Sequence, residues 1–425
     1  MAILRSKAQP GYPQHYCTLQ RPVAQPVAIA DAAQNIMICA VGVSSHEIGE
    51  VAHIGGIARS DRLPAIPAGL LQDQRAGSSD APVRQIAAVV ADLAAGSAAW
   101  LAGMTFRLLA GQLLSSADGG SMRSMTRALA VIGVPCSAGA HHGGLERGPG
   151  ALRAAGLPDR LRQAGWEVAD AGDLTPRVFT TDPAHPRARN RDAVVQACRD
   201  VASATSQAIA AGRIPVLVGG DCSITAGAVA GCLARRPDTG LVYLDGDADL
   251  RTPQTTIAGN FDGMVIAALL GEGDRGYTGL ADAAPMLPPE RLAILGYDDG
   301  DIDPRERHLL SPPLSYTDGK RVAADPVGAA ATARTHVEAS AGAIVVHFDV
   351  DAVDSADLPL ANYPHHGKGL TFEAAMAVLR ELCASPAFTA LVLTEVNPTH
   401  DPVGELLGRY LDGVTAALAE PARDR

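Results

Sequence analysis

The chain is 425 residues long and carries a formal net charge of −11, with seven cysteines at 17, 39, 136, 198, 222, 232 and 383. That length can bury a sizeable core and admits either two or three average domains or one large α/β domain with an appendage. The acidic balance argues against a nucleic-acid or anionic-membrane partner, both of which need clustered Lys and Arg, and an odd cysteine set with no Cys-x-x-Cys spacing fits a reducing cytoplasm.

Residues 1–121 hold eight Lys/Arg and eight Asp/Glu, so the whole net charge belongs to 122–425. Pro10, Pro13, His15 and Tyr16 stand where a secretory signal would need an apolar core. The longest uncharged apolar stretch, between Asp92 and Arg107, is shorter than the ~20 residues of a spanning helix. This Ala/Gly/Pro/Ser-rich part offers one helical candidate near 83–114 and no cluster with metal-ligand or nucleophile spacing. Met122 and Met125 precede the first clear strand, so 1–121 is expected to be a low-complexity extension, disordered or dispensable, ahead of an α/β domain over 122–425.

From 128 onward, Val/Ile/Leu runs recur at 128–134, 214–218, 240–244, 291–296, 343–348 and 390–395, with weaker candidates near 167 and 314. Helical periods fill the gaps at 149–164, 190–211, 223–235, 261–270, 326–340, 371–384 and 403–419. Continuous apolar strands alternating with helices predict a three-layer α-β-α fold around a mostly parallel eight-stranded sheet. Ligands then bind beyond the carboxyl ends of the strands.

Three acidic motifs fall at those ends: Gly219-Gly220-Asp221-Cys222, Asp245-Gly246-Asp247-Ala248-Asp249 and Asp349-Val350-Asp351. Carboxylates at that density repel one another unless a cation neutralises them, so a divalent metal is the simplest account of the pattern. Each motif alone is weaker. Tyr243-Leu244-Asp245-Gly246-Asp247 would also suit the strand end of a haloacid-dehalogenase-type phosphatase, but two such motifs about a hundred residues apart, with Gly-Gly-Asp-Cys and Glu395-Val396-Asn397-Pro398, do not. An unpaired cysteine such as Cys222 is commonly an inert buried hydrophobe, and Asp262 equally suits the first turn of the 261–270 helix. His141, His142, His365 and His366 stand in pairs on Gly-rich loops, where histidines are usually solvated; no ligation is assigned to them, although they could supply an imidazole that the acidic motifs lack.

In order along 128–421, these segments resemble the arginase/agmatinase (ureohydrolase) family. Ile132-Gly133-Val134-Pro135 with Gly143-Gly144-Leu145-Glu146-Arg147-Gly148-Pro149 is similar to its opening strand, substrate loop and first helix. Asp301-Ile302-Asp303-Pro304 and Glu395-Val396-Asn397-Pro398 resemble two further segments. Asp249 through Thr256 and on to Asn260 is closer to arginases than to agmatinases. The family writes its metal loops as Gly-Gly-Asp-His, Asp-x-His-x-Asp and Asp-x-Asp, around two Mn²⁺ bridged by a hydroxide that attacks a guanidinium carbon. Here Cys222 stands for the first histidine, Asp247 for the second, and Asp262 for a proton-shuttling histidine. Asp245, Asp249, Asp349 and Asp351 match unchanged.

The resemblance implies a metal set of Cys222, Asp245, Asp247, Asp249, Asp349 and Asp351. Five carboxylates and a thiolate would leave about two negative charges in excess over two divalent ions, unless a proton or nearby cation compensates. Mn²⁺ is the expected ion, in a binuclear site or with one position weakened, and Zn²⁺ or Fe²⁺ are the alternatives that a thiolate invites. It further implies that Glu395 fixes a guanidinium, that Arg251 and Asn260 meet the far end of the substrate, and that Asp301 and Asp303 receive an α-amino group, with Asp262 as acid for the leaving amine. The expected protein is a cytoplasmic homo-oligomer that hydrolyses a C–N bond of a small linear guanidine or amidine. The competing expectation is a catalytically silent homologue that binds a ligand or forms an assembly without turnover.

Overall fold

The six continuous Val/Ile/Leu runs become the inner strands of one sheet, because strands covered on both faces need apolar residues at every position. The computed structural model describes residues 128–281 and 283–419, together with two short strands, β1 (Ala28–Asp31) and β2 (Ile36–Cys39), that pair antiparallel. The helix expected near 83–114 lies outside the described residues. Residues 124–425 form one compact unit.

Its sheet runs through β3 (Ala128–Gly133), β4 (Glu167–Asp173), β5 (Arg213–Val218), β6 (Thr239–Leu244), β7 (Leu292–Leu295), β8 (Ser315–Thr317), β9 (Ala343–Asp349) and β10 (Phe388–Thr394). The spatial order is β4-β3-β5-β10-β9-β6-β7-β8, and every pairing is parallel. The two weak strand candidates prove to be the edges, β4 and β8. Each is covered less and so carries fewer apolar residues: β4 reads Glu-Val-Ala-Asp-Ala-Gly-Asp and is largely exposed.

Alternate residues of each strand enter separate cores. Leu129 and Val131 pack on one face with α1 (Gly148–Ala154), α2 (Leu157–Gln163), α7 (Gly319–Ala324), α8 (Pro326–Glu338), α9 (Phe372–Cys383) and α10 (Glu405–Leu418). Ala130 and Ile132 pack on the other with α3 (Arg191–Ala210), α4 (Ile224–Leu233), α5 (Val265–Leu269) and α6 (Arg275–Thr278). The helix predicted over 149–164 is two helices, since Gly156 takes φ +91° and Pro158 starts the next helix. The one predicted over 261–270 opens instead as a 3₁₀ turn at Asp262–Met264.

The first turn of α4 lies just past Cys222, and its seating sets where that side chain goes. The helix is apolar all round and buried along almost its whole length. A Cβ on Gly227 would come within 2.4 Å of Cys198 O, and one on Gly231 within 2.5 Å of Ala202 O, so only glycine lets α3 approach α4 this closely.

Candidate metal centre

Four neighbouring strands in the middle of the sheet, β5, β10, β9 and β6, deliver the motifs side by side. Cys222 follows β5, Glu395 follows β10, Asp349 ends β9 and Asp245 follows β6. Thr394 pairs with Asp349 and Leu244 with Phe348, so the strand ends are level. Strands about 4.8 Å apart leave such side chains no means of avoiding one another.

The backbone fixes which oxygen of each carboxylate faces inward. Asp247 N–H donates to Asp245 Oδ1 (2.7 Å), Asp351 N–H to Asp349 Oδ1 (2.7 Å) and Gly246 N–H to Asp351 Oδ1 (3.0 Å). The Oδ2 atoms are left to meet at the centre. There they fall into two groups of potential ligands whose atoms lie within 4.8 Å of one another: Cys222, Asp245, His347 and Asp349, and Asp247, Asp351 and His365. In the first, Cys222 Sγ lies 2.6 Å from Asp349 Oδ2, 3.7 Å from Asp245 Oδ2 and 3.7 Å from His347 Nε2, which is itself 3.4 Å from Asp245 Oδ2. In the second, His365 Nε2 lies 3.6 Å from Asp247 Oδ2 and 3.7 Å from Asp351 Oδ2.

Five of the six expected ligands are thus brought into the two groups, and Asp249 stands apart from both. It faces the cavity, but its Oδ2 accepts a hydrogen bond from the Tyr243 hydroxyl, and its backbone sits at φ +48°. Asp221, adjacent to Cys222, is spent on structure: it accepts from Gly139 N–H (3.0 Å), Ser223 N–H (3.1 Å) and the Ser223 hydroxyl. Sequence reasoning missed His347 altogether. The signal was present: a histidine interrupts the apolar run Ala-Ile-Val-Val-His-Phe-Asp two residues before Asp349, and a period of two puts both side chains on one face. His365 belongs to a loop pair of a kind usually solvated, to which the sequence assigns no ligation although it could supply an imidazole; it is 4% exposed.

Burial, followed by the neighbouring carboxylates, pushes Asp245, Asp349 and Asp249 well above the usual carboxylate range, and burial with Asp349 and Asp245 does the same to the Cys222 thiol. Burial holds His347 neutral. Burial would also lower His365, but Asp247 and Asp351 outweigh it and push it up to about 11. Uncompensated, the centre therefore disfavours the charged forms of its acids.

The donor set fits divalent metal. The His365 Nε2 is buried without a hydrogen-bond partner, and the inward oxygens share a space in which only a cation would relieve them.

Both groups open onto a cavity of about 350 Å³. Arg251, Asn260, Asp262, Asp301 and Glu395 line it, and Arg251 is the one Lys or Arg on that wall among the described residues. Glu395 takes φ +62° and accepts from Cys222 N–H (3.2 Å), strain of a kind that persists where surrounding structure fixes it. Asp262 accepts from Gly263 N–H (2.6 Å) and from the Asn260 amide; burial first, then nearby acids, raises it well above the usual range. The structure does not bring Asp303 to the cavity wall: Arg305 holds it at 2.7 Å, a local ion pair two residues away that outcompetes the pocket. At the rim the His141 and Tyr363 rings stack 5.7 Å apart.

Fold and centre together define an α/β protein with two adjoining groups of potential metal ligands at the carboxyl end of a parallel sheet. The profile of the arginase family matches residues 127–419. The chain is 31% identical over 287 residues to the arginase of Brevibacillus brevis, covering 65% of this chain and 93% of that one, and 29% identical over 285 residues to arginase-1 of Mus musculus, covering 65% and 87%. Among solved structures, the arginase of Bacillus cereus superposes with a TM-score of 0.61 at 26% identity, over 70% of this chain and all of that one. The chain belongs to the arginase family, hydrolases acting on C–N bonds in linear amidines. No described helix is long and apolar enough to cross a membrane.

Proposed function

We propose that this protein hydrolyses a C–N bond of a small linear guanidine or amidine at the metal centre. One observation carries the reading: Glu395, the two ligand groups and Arg251 converge on one cavity of about 350 Å³, the size of a small-molecule site. Divalent ions bound there supply Lewis acidity and lower the pKa of water. Glu395, anchored by Cys222 N–H, grips the planar guanidinium through paired charge-assisted hydrogen bonds and sets its orientation. Arg251 and Asn260 receive the polar far end of the substrate, with Asp301 on the same wall for an amino group. Asp262, whose protonated form burial favours, donates a proton to the departing amine.

The test is urea release by the metal-loaded chain from linear guanidines with and without a carboxylate. Release that chelation abolishes is expected, with the carboxylate-bearing compounds preferred because of Arg251. A chain that holds metal and releases nothing from any of them would be the catalytically silent homologue instead.

The same reading makes residues 122–425 the folding unit, within a cytoplasmic homo-oligomer. Support comes from the charge break at Met122 and the compactness of 124–425. Deleting 1–121 should leave a single cooperative melt with its midpoint close to that of the full chain. An aggregated product would sink the idea.

A further inference from the structure

We propose that this centre has relocated its two imidazoles rather than lost them, with the consequence that its halves select different metals. His347 joins Cys222, Asp245 and Asp349 around a buried Zn²⁺, and His365 joins Asp247 and Asp351 around an Mn²⁺ that faces the cavity. The inference deepens the metal-centre reading above and rests on it.

Three edges of the buried half have the lengths expected of a tetrahedral site. Zinc–sulfur bonds of about 2.3 Å and zinc–nitrogen or zinc–oxygen bonds of about 2.1 Å put a sulfur about 3.6 Å from its neighbouring ligands and a nitrogen about 3.4 Å from an oxygen. The observed edges are 3.7 Å from Cys222 Sγ to Asp245, 3.7 Å from Cys222 Sγ to His347, and 3.4 Å from His347 to Asp245. Asp349 Oδ2, 2.6 Å from the sulfur, is closer than an edge, so this carboxylate would move outward on binding.

His347 is positioned as a ligand by the groups around it. It is fully buried and stacks on Tyr243 at 3.9 Å, and its Nδ1 lies 2.8 Å from Thr225 Oγ1. An Nδ1–H that donates to Thr225 turns the Nε2 lone pair toward the centre, the usual arrangement by which a second hydrogen bond sets the tautomer of a metal-bound histidine. Position 222 and His347 also compete for one volume. With Nε2 and Thr394 Oγ1 at 3.7 and 3.3 Å from the Cys222 sulfur, an imidazole at 222 would have no room. A small sulfur ligand at 222 and an imidazole at 347 are one change, not two.

The second half shows the complementary exchange. Asp247 occupies the place of an imidazole in the Asp-x-His-x-Asp pattern, and His365 arrives from a loop far along the chain. Its Nε2 is buried with no hydrogen-bond partner and aimed between Asp247 and Asp351. Gly246 clears its path: a Cβ there would meet His365 Cδ2 at 2.8 Å.

The chemistry then separates the halves. Sulfur, nitrogen and two carboxylates form a soft four-donor set that favours Zn²⁺, whereas two carboxylates and one imidazole leave open positions on an oxygen-preferring ion. The carboxylates of both halves and the Cys222 sulfur line the cavity, and the two imidazoles stand outside its lining; the four donors of the first half are all buried, whereas Asp247 in the second is half-buried.

The test takes the full chain, stripped by chelation and dialysed against equimolar Zn²⁺ and Mn²⁺, with metal content measured. One equivalent of each is expected. With Co²⁺ alone the buried half should give a near-ultraviolet thiolate-to-cobalt charge-transfer band, absent in Cys222→Ser. His365→Gln should lose the Mn²⁺ and keep both the Zn²⁺ and the band, while His347→Gln should lose the Zn²⁺. Two equivalents of Mn²⁺ with no Zn²⁺, or no band in the unaltered chain, would overturn the proposal, and these two measurements decide it even where a variant fails to fold. A chain with one Zn²⁺ and one Mn²⁺ that releases no urea overturns the hydrolase reading and leaves this one standing. Urea release by a chain with two Mn²⁺ does the reverse.

Discussion

Replacing Asp349 by Asn should strip the buried half of the centre of its metal and lower the melting midpoint of the metal-loaded protein by on the order of 10 °C. Asp349 is 1% exposed, ends the central strand β9 and points Oδ2 at Cys222 while Asp351 N–H anchors Oδ1. A ligand that binds only the folded state at 1,000 times its Kd stabilises by about 4 kcal/mol, and each kcal/mol moves the midpoint of a domain this size by about 2–4 °C. The sign should reverse in the chelated protein. There burial and the neighbouring acids already disfavour the charged form of Asp349, and the isosteric amide avoids that conflict, so the midpoint should hold or rise. Metal analysis and melts with and without chelator check both signs. If Asp349→Asn keeps its metal and the midpoint does not move, the centre lies elsewhere.

Glu395→Gln should cut kcat/KM for a guanidine about 10²–10³-fold while the metal content stays unchanged. Truncating one partner of a buried, hydrogen-bonded charge pair costs about 2–5 kcal/mol, and the amide can still accept the Cys222 N–H but no longer carries the charge that pairs with the guanidinium. Since burial and the acids at 262 and 221 already raise Glu395, the amide should not weaken the fold. Urea assays beside metal analysis and a melt separate the two effects. A fall in metal content equal to the fall in rate would make Glu395 a ligand and not an orienter.

Much of this was legible in the sequence because it is written in local patterns. Continuous apolar runs mark the strands buried on both faces, and these six were recovered almost to the residue; the edges β4 and β8 were faint because partial exposure relaxes the apolar requirement. Asp245, Asp247, Asp349, Asp351 and Cys222 could be read as one cluster because each follows a strand end and parallel topology puts strand ends together. Only the tertiary structure decided the imidazoles. Nothing local separates His347 from a core histidine or His365 from a solvated one; what singles them out is strand register, which sets His347 beside Tyr243 and next to Asp245, and a loop that crosses Gly246 to place His365 between two aspartates. Asp249 and Asp303 differ: each is held by a partner close in sequence, the Tyr243 hydroxyl six residues back and Arg305 two residues on, and the local path of the backbone decides that these contacts form. A residue type and its position in a motif tell what a side chain can do. Which partners His347 and His365 have depends on distances between segments far apart in the chain, and those are set by packing.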